Sequence, residues 1–421
     1  MRAASGTTSI VKDRRLAIVL IGLLAGAARA GGDAGLALQY VAIVSRHGVR
    51  APTWENARLN AYAAEPWPEW EVPPGNLTPH GRKLMELMGR YYRERLSGEH
   101  LLRRSGCGDA SRVYIRADVD QRTVETGRAL AAGLLPECGA EVHTAGEGRP
   151  DPLFAGFGTA DPERLLGAVR ERLGADPDKL LKEHRAALET MQLILGRGLD
   201  PAARVSVGLK GKSVEMTGPL STGSTFSENL LLEYANGLEG GSLGWGRMTR
   251  EDLERVMELH AVYADVMRRT PYLARVRGSN LLSHILNSLE QAVTGKATAG
   301  ALGRPGDVLL VMAGHDTNLS NLSGMLDLSW KLEGYQRDDT PPGGALIFSL
   351  WRGAGAGEYF VRLHYVAQTL EQMRSAAPLS VATPPEEQEV FLPGCGARPC
   401  PWETARRALA GAIDAGFVGR E

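Results

Sequence analysis

Three apolar runs in this chain each end in a cluster of charged and imidazole side chains. Residues 36–44 alternate and then run apolar through Tyr40-Val41-Ala42-Ile43-Val44, which predicts a buried strand ending at the turn Arg46-His47-Gly48. Arg112-Val113-Tyr114-Ile115-Arg116 predicts a second short strand, followed by Asp118 to Asp120 and a helix from about Gln121 to Leu134. A third strand is predicted from Asp307 to Ala313, just before Gly314-His315-Asp316, and strand character returns at Ala345 to Trp351 and Phe360 to Val366. Thr78-Pro79 opens a helix reaching about Leu96, with proline in the first turn where its missing N–H costs little. Between them, Thr53 to Asn76 is rich in Trp and Pro and reads as an irregular loop.

From about Pro162 to Tyr272 the pattern changes to helices and loops with little strand signal. Thr249-Arg250-Glu251-Asp252 has the form of a capping box, and Leu253, Val256, Met257, His260, Tyr263 and Met267 follow at helical spacing. On that apolar stripe His260 reads as a core or rim histidine rather than a catalytic one. The expected architecture is α/β, with a mostly parallel central sheet flanked by helices. Residues 31–160 and 275–421 would form that domain, split by a smaller helical insertion domain over 161–274.

Composition changes this picture little. Over 421 residues, 43% hydrophobic and 23% charged suits a globular enzyme, and a net charge of −1 gives no electrostatic reason to expect nucleic acid as a partner. The N-terminus changes it more. Arg14-Arg15 precedes the apolar run Leu16 to Ala28, and Ala28-Arg29-Ala30 offers small residues at the −3 and −1 positions. Residues 1–30 therefore read as a secretory signal peptide cleaved after Ala30. The alternative, a membrane anchor, needs an apolar run of ~20 residues, and this one is shorter. Export to the periplasm or beyond makes disulfides the expected state of Cys107, Cys138, Cys395 and Cys400. Sequence proximity favours Cys107–Cys138 and Cys395–Cys400 among the possible pairings, and the spacings fit no common zinc finger.

The candidate chemistry sits at the strand ends. Ser45-Arg46-His47-Gly48-Val49-Arg50-Ala51-Pro52 places one imidazole between two guanidinium groups. Fixed positive charge favours the neutral, nucleophilic form of His47, and the same arginines can clamp a phosphate in a bidentate fork. In open α/β sheets ligands sit beyond the carboxyl ends of strands, so the distant His315-Asp316 plausibly converges on the same pocket. Asp316 is placed to protonate a leaving oxygen, and His315 to donate to a phosphoryl oxygen. Asp118-Val119-Asp120-Gln121-Arg122-Thr123 adds Arg122 in the first turn of a helix, where an anion is already favoured. Gly208-Leu209-Lys210-Gly211-Lys212-Ser213 has only a superficial likeness to a P-loop, its glycines being too close. No cluster has metal-ligand spacing and no glycine fingerprint follows a strand, so the expected reaction uses no metal or cofactor.

Arg46-His47-Gly48-Val49-Arg50-Ala51-Pro52 with His315-Asp316 resembles the histidine acid phosphatases, the larger branch of the histidine phosphatase superfamily. Trp67-Pro68-Glu69-Trp70, Leu77-Thr78-Pro79-His80-Gly81, Asp151-Pro152-Leu153-Phe154, Gly244-Trp245-Gly246-Arg247 and Thr340-Pro341-Pro342-Gly343-Gly344 resemble the bacterial periplasmic phytase and acid phosphatase group. The resemblance covers essentially the whole mature chain. It implies His47 as the phosphorylated nucleophile, Arg46, Arg50, Arg122 and His315 around the phosphoryl group, and Asp316 as the acid for the leaving alcohol. It further implies Thr53, Arg277 and Glu228 near the substrate phosphates, while Trp54 stands where well-known members carry a lysine.

Two substrates follow from that likeness. Thr317 and the Arg275-Val276-Arg277 segment lean towards phytate, and a glucose-1-phosphatase with the same mechanism is the alternative. A phosphate-ester binding protein without turnover is a third reading, against which both His47 and Asp316 speak. The expected partner is a small phosphate monoester, with neither nucleic acid nor membrane involved after signal cleavage, and a monomer is the default. Since Asp316 must start protonated, an acidic working range is expected.

Overall fold

Three of the strands end level with one another, and that sets the position of everything that follows. The computed structural model describes residues 35–146, 148–199 and 203–419, besides Met1. In it β1 (Ala37–Arg46), β2 (Val113–Ala117) and β5 (Leu309–Gly314) run parallel in the order β2-β5-β1. Arg46 pairs with Gly314, and Ala117 with Ala313, so the three carboxyl ends open at one height.

On the other side of β1 the sheet continues through β6 (Ala345–Arg352), β7 (Tyr359–Ala367) and β8 (Glu386–Val390), with the short β9 (Cys400–Pro401) against β7. All of these pairings are antiparallel. The helix-flanked α/β sheet is as expected, but its strand directions are mixed, and the mostly parallel arrangement holds only for the β2-β5-β1 half. Connection length explains the difference. Residues 353–358 alone join β6 to β7, far too few for the crossover that parallel neighbours need.

The apolar run in β1 divides by parity, as a strand buried on both faces must. Tyr40, Ala42 and Val44 enter one apolar cluster and Val41 and Ile43 another, which Leu38 joins because the register with β6 shifts between Leu38 and Tyr40. The short α1 (Asn56–Leu59) follows β1; α2 (Pro79–Gly98) and α3 (Gln121–Leu134) cover the second cluster. α2 and α3 approach so closely that a Cβ on Gly133 would strike the carbonyl oxygen of Glu86. Thr78 caps α2 by accepting from the Gly81 amide at 2.9 Å, with Pro79 in the first turn as read from the sequence.

The first cluster extends into the helices that lie between α3 and β5 in the chain. These are α4 (Pro152–Ala155), α5 (Pro162–Leu173), α6 (Pro177–Glu183), α7 (Arg185–Leu195), α8 (Pro219–Ala235), α9 (Arg250–Met267) and α10 (Pro271–Thr294). α11 (Asp316–Leu326), α12 (Leu370–Ser375) and α13 (Trp402–Ala412) complete the set among the described residues. The capping box at Thr249 and Asp252 forms as predicted.

This stretch also holds a hairpin that the pattern did not predict, β3 (Ser206–Lys210) with β4 (Ser213–Thr217). Val207, Val214 and Met216 are its only deeply buried side chains, too sparse an alternation to stand out between charged residues. The glycine-containing Gly208–Ser213 stretch is thus a hairpin and its turn, not a phosphate cradle. Both expected disulfides are formed, Cys107–Cys138 and Cys395–Cys400. The expected leader over 1–30 lies, apart from Met1, outside the described residues, and none of the described helices is long and apolar enough to cross a membrane.

Candidate active site

β1 delivers Arg46 as its last residue and His47 just beyond it, and neighbouring backbone pins both. The His47 amide donates to the Gly314 carbonyl at 2.8 Å, and Gly343 N–H donates to the His47 carbonyl at 2.9 Å. Behind the turn, α2 approaches so closely that any Cβ at Gly81 would collide with the Val49 carbonyl oxygen. His47 is buried, and its Nδ1 lies 2.8 Å from the Gly48 carbonyl oxygen. A carbonyl can only accept, so the ring proton sits on Nδ1 and the Nε2 lone pair is free. Burial, then the charges of Arg46, Arg50, Arg122 and His315, hold His47 well below the usual histidine range. It stays neutral in acid.

Three guanidinium groups surround that ring. Arg46, 1% exposed, donates through Nη1 to the Thr340 carbonyl at 2.5 Å and pairs through Nη2 with Glu228. Arg50 lies 3.6 Å from the same Glu228 oxygen, and burial pushes it down to about 10, still charged in acid. Arg122, in the first turn of α3, pairs with Asp120 at 2.6 Å. The buried Nε of each of these three arginines has no hydrogen-bond partner among the described residues. Buried donors are nearly always paired, so three such groups around one nucleophile describe an anion site.

β5 contributes the other side. His315 donates from Nε2 to Asp118 Oδ2 at 2.7 Å, which fixes the ring, and its Nδ1 lies 3.4 Å from Arg122 Nη2. The His47 and His315 rings meet edge-on with centroids 5.6 Å apart. Asp316 opens α11. Its Oδ1 accepts from the Thr317 amide at 2.8 Å and its Oδ2 from Arg268 Nη1 at 2.6 Å. Burial opposes ionisation, yet Arg268, with Arg46 and His260, holds this carboxyl well below the usual range. The Arg268 contact thus favours the carboxylate form of Asp316, whereas the expected mechanism starts from the protonated form.

Glu228 is placed differently from the expectation that it contacts substrate phosphate. It is buried behind Arg46 and Arg50, and Arg46, His260 and Arg50 hold it ionised against the cost of burial. A carboxylate repels phosphate, so its contact is with the arginines. Arg277 lines a cleft of about 460 Å³ together with Lys212, His315 and Thr317. Thr53 is exposed at the rim: a Cβ on Gly75 would lie 3.7 Å from both Thr53 Cγ2 and Arg122 Nη1. Trp54 packs against Phe226, with the Arg58 guanidinium 3.4 Å above its ring. Asp118, Asp120 and His315 bring three donor atoms within 4.8 Å of one another. The His315–Asp118 hydrogen bond and the Arg122–Asp120 pair already engage them, which suits an oriented imidazole better than a cation. A larger hollow of about 570 Å³ along the β2 edge holds Arg116 and Asp151 paired at 2.7 Å and is lined by none of His47, Asp316 and the arginines around them.

Residues 37–193 and 220–366 match the histidine phosphatase superfamily, branch 2. The chain belongs to that superfamily. This histidine phosphatase is 37% identical over 402 residues to the phytase AppA of Escherichia coli (strain K12), covering 90% of this chain and 92% of that protein. It is 29% identical over 378 residues to a glucose-1-phosphatase of Salmonella typhimurium, covering 86% and 88%. The solved structure of a Hafnia alvei phytase in complex with myo-inositol hexakis sulphate matches with a TM-score of 0.83 and 34% identity, over 91% of this chain and 98% of that one.

Sequence reasoning missed three parts of this histidine phosphatase site. Asp118 lies in the Asp118–Thr123 segment, and only its contact with His315, far away in the chain, gives it a role. His260, expected in the core or at the rim, is buried with Nε2 3.9 Å from Asp316 and 4.0 Å from Glu228. Arg268, in Arg268-Arg269-Thr270-Pro271, carried no signal at all.

Proposed function

We propose that this enzyme hydrolyses phosphate monoesters through a phosphohistidine at His47, with phytate as a preferred substrate. The observation that carries the reading is the free Nε2 of His47 inside a ring of arginine Nε–H groups that lack partners. Nε2 attacks phosphorus, the ester P–O bond breaks, and Asp316 in its protonated form gives its proton to the leaving alcohol. Water then attacks the phosphohistidine, the Asp316 carboxylate takes a proton from it, and inorganic phosphate leaves with His47 restored. Arg46, Arg50 and Arg122 neutralise the charge gathering on the phosphoryl oxygens, and His315 as an imidazolium, its Nε2–H held by Asp118, adds a donor from Nδ1.

Glu228 holds Arg46 and Arg50 in place, and Asp118 holds His315. Residues 161–274 act as an inserted lobe that supplies part of the substrate-selecting wall through Lys212 and Arg268, with Glu228 and His260 buried behind it. Thr53 acts at the rim. Phytate carries phosphates beyond the reacting one, and the surplus cations Arg277 and Lys212 beside the cleft favour it over a sugar monophosphate. The relatives named phytase support the same choice. Two disulfides support an exported enzyme. The test is kcat/KM for phytate, glucose 1-phosphate and an aryl phosphate at acidic pH. Phytate should lead; a clear lead for glucose 1-phosphate would overturn the substrate choice.

A further inference from the structure

Asp316 is the acid on the reading above, yet both of its oxygens accept hydrogen bonds suited to a carboxylate. The bond to Oδ1 comes from the Thr317 backbone and is fixed by the start of α11. The bond to Oδ2 comes from the end of a long side chain, Arg268, the residue that terminates α9. The next arginine is a useful contrast. Arg269 reaches Ser323 Oγ at 2.7 Å, the Leu328 carbonyl at 3.0 Å and Asp338 at 3.2 Å. Arg268 has Asp316 as its one hydrogen-bond partner among the described residues, with the Tyr263 ring 5.8 Å away.

Arg268 also has somewhere to go. Arg277, nearly two turns into α10 and lining the cleft, has no ion-pair partner among the described residues, and the charge of Arg268 adds to the burial that lowers its pKa. The two arginines repel one another, and among the described residues Asp316 is the one carboxylate that pairs with either of them, so an anion beside them would be drawn to both. The substrate chemistry supplies one. When Asp316 touches the leaving oxygen, a phosphate on the adjacent carbon of the same polyol lies within a few ångströms of Asp316 and of Arg268.

We propose that Arg268 is a substrate-operated latch on the general acid, released when a vicinal phosphate of a polyphosphorylated polyol draws its guanidinium off Asp316. The freed carboxylate takes a proton from solvent, passes it to the leaving oxygen as the P–O bond breaks, and regains one from the water that hydrolyses the phosphohistidine. The other charged groups facing Asp316 are His260 from α9, Arg46 from β1 with His47 and Arg50 beyond it, and Glu228 from α8. None of them hydrogen-bonds its oxygens, so Arg268 is the one whose departure changes its contacts. Arg268 is thus a positioning residue that selects substrates carrying neighbouring phosphates.

The proposal rests on Asp316 being the acid, and the experiment separates the two. Full-length wild type, Arg268→Gln, Arg268→Lys and Asp316→Asn would be assayed for kcat against pH with phytate, glycerol 2-phosphate and an aryl phosphate. In the wild type the high-pH fall of kcat should lie at least one pH unit higher for phytate than for glycerol 2-phosphate. Arg268→Gln should close that gap by moving the glycerol 2-phosphate limb upward, raising its kcat near pH 5 at least threefold, while Arg268→Lys keeps the gap. Coincident limbs in the wild type, or a gap unchanged in Arg268→Gln, would overturn the latch. A uniform loss on all three substrates with unchanged profiles would make Arg268 merely structural and overturn it as well. If instead Asp316→Asn slows glycerol 2-phosphate no more than the aryl phosphate, whose leaving group needs no proton, Asp316 is not the acid and the underlying reading has failed.

Discussion

Asp118 Oδ2 accepts from His315 Nε2 at 2.7 Å, across a separation of 197 residues in the chain. The contact exists because β2 and β5 are parallel neighbours that end in register, Ala117 beside Ala313. It ties a ring in one motif to a carboxylate in another.

Loss of that tie should cost rate more than binding. Asp118→Ala frees the His315 ring to rotate, and kcat should fall by about 10²-fold, the scale of losing one donor to developing charge. Asp118→Asn keeps an acceptor and should lose less. Steady-state kinetics on an aryl phosphate checks this, and unchanged kcat in Asp118→Ala would remove the orienting role.

Glu228 should matter for stability as much as for rate. Glu228→Ala leaves Arg46 buried beside Arg50 without its counter-charge, and breaking a buried pair in this way costs about 3–5 kcal/mol. Inorganic phosphate bound at the site replaces the missing negative charge. Thermal unfolding should therefore show a lowered Tm for Glu228→Ala, with a larger upward shift on adding phosphate than in the wild type. An unaltered Tm would show that the pair is not needed.

A third test concerns pH and lies away from the chemistry. Glu233 in α8 is buried, accepts from the Gly244 amide at 2.9 Å, and burial pushes its carboxyl up to about 8 from an ordinary 4.5. Between those values the folded chain binds a proton that the unfolded chain has released, so Glu233 lowers stability progressively as pH rises from about 4.5 to 8. Glu233→Gln should match the wild type in Tm near pH 4 and exceed it near pH 8. Parallel Tm curves across that window would contradict the assignment.

The legible part of this protein is the part whose chemistry is local. The run Tyr40 to Val44 announced a strand buried on both faces, and Thr78-Pro79 and the Thr249–Asp252 box announced helix starts, because each signal lies within one turn or one strand. Arg46, His47 and Arg50 fell within five residues, so the anion clamp was visible before any fold. What stayed hidden depends on pairing between distant segments. Strand direction beyond β1 is set by the short 353–358 connection, and the apolar content of β6 and β7 is silent about it. The role of Glu228 as an arginine partner, and the hold of Arg268 on Asp316, arise only when α8 and α9 pack over the end of β1. No spacing in the chain encodes either contact.

The most direct test of the central assignment is to trap the phosphorylated enzyme. Wild type mixed rapidly with labelled aryl phosphate, quenched in alkaline denaturant and digested, should carry label on the peptide containing His47. Phosphate should sit on Nε2, the nitrogen left free by the Nδ1–Gly48 contact, and His47→Ala should lose both label and turnover. Turnover persisting in His47→Ala, or label found on another residue, would contradict nucleophilic attack by His47.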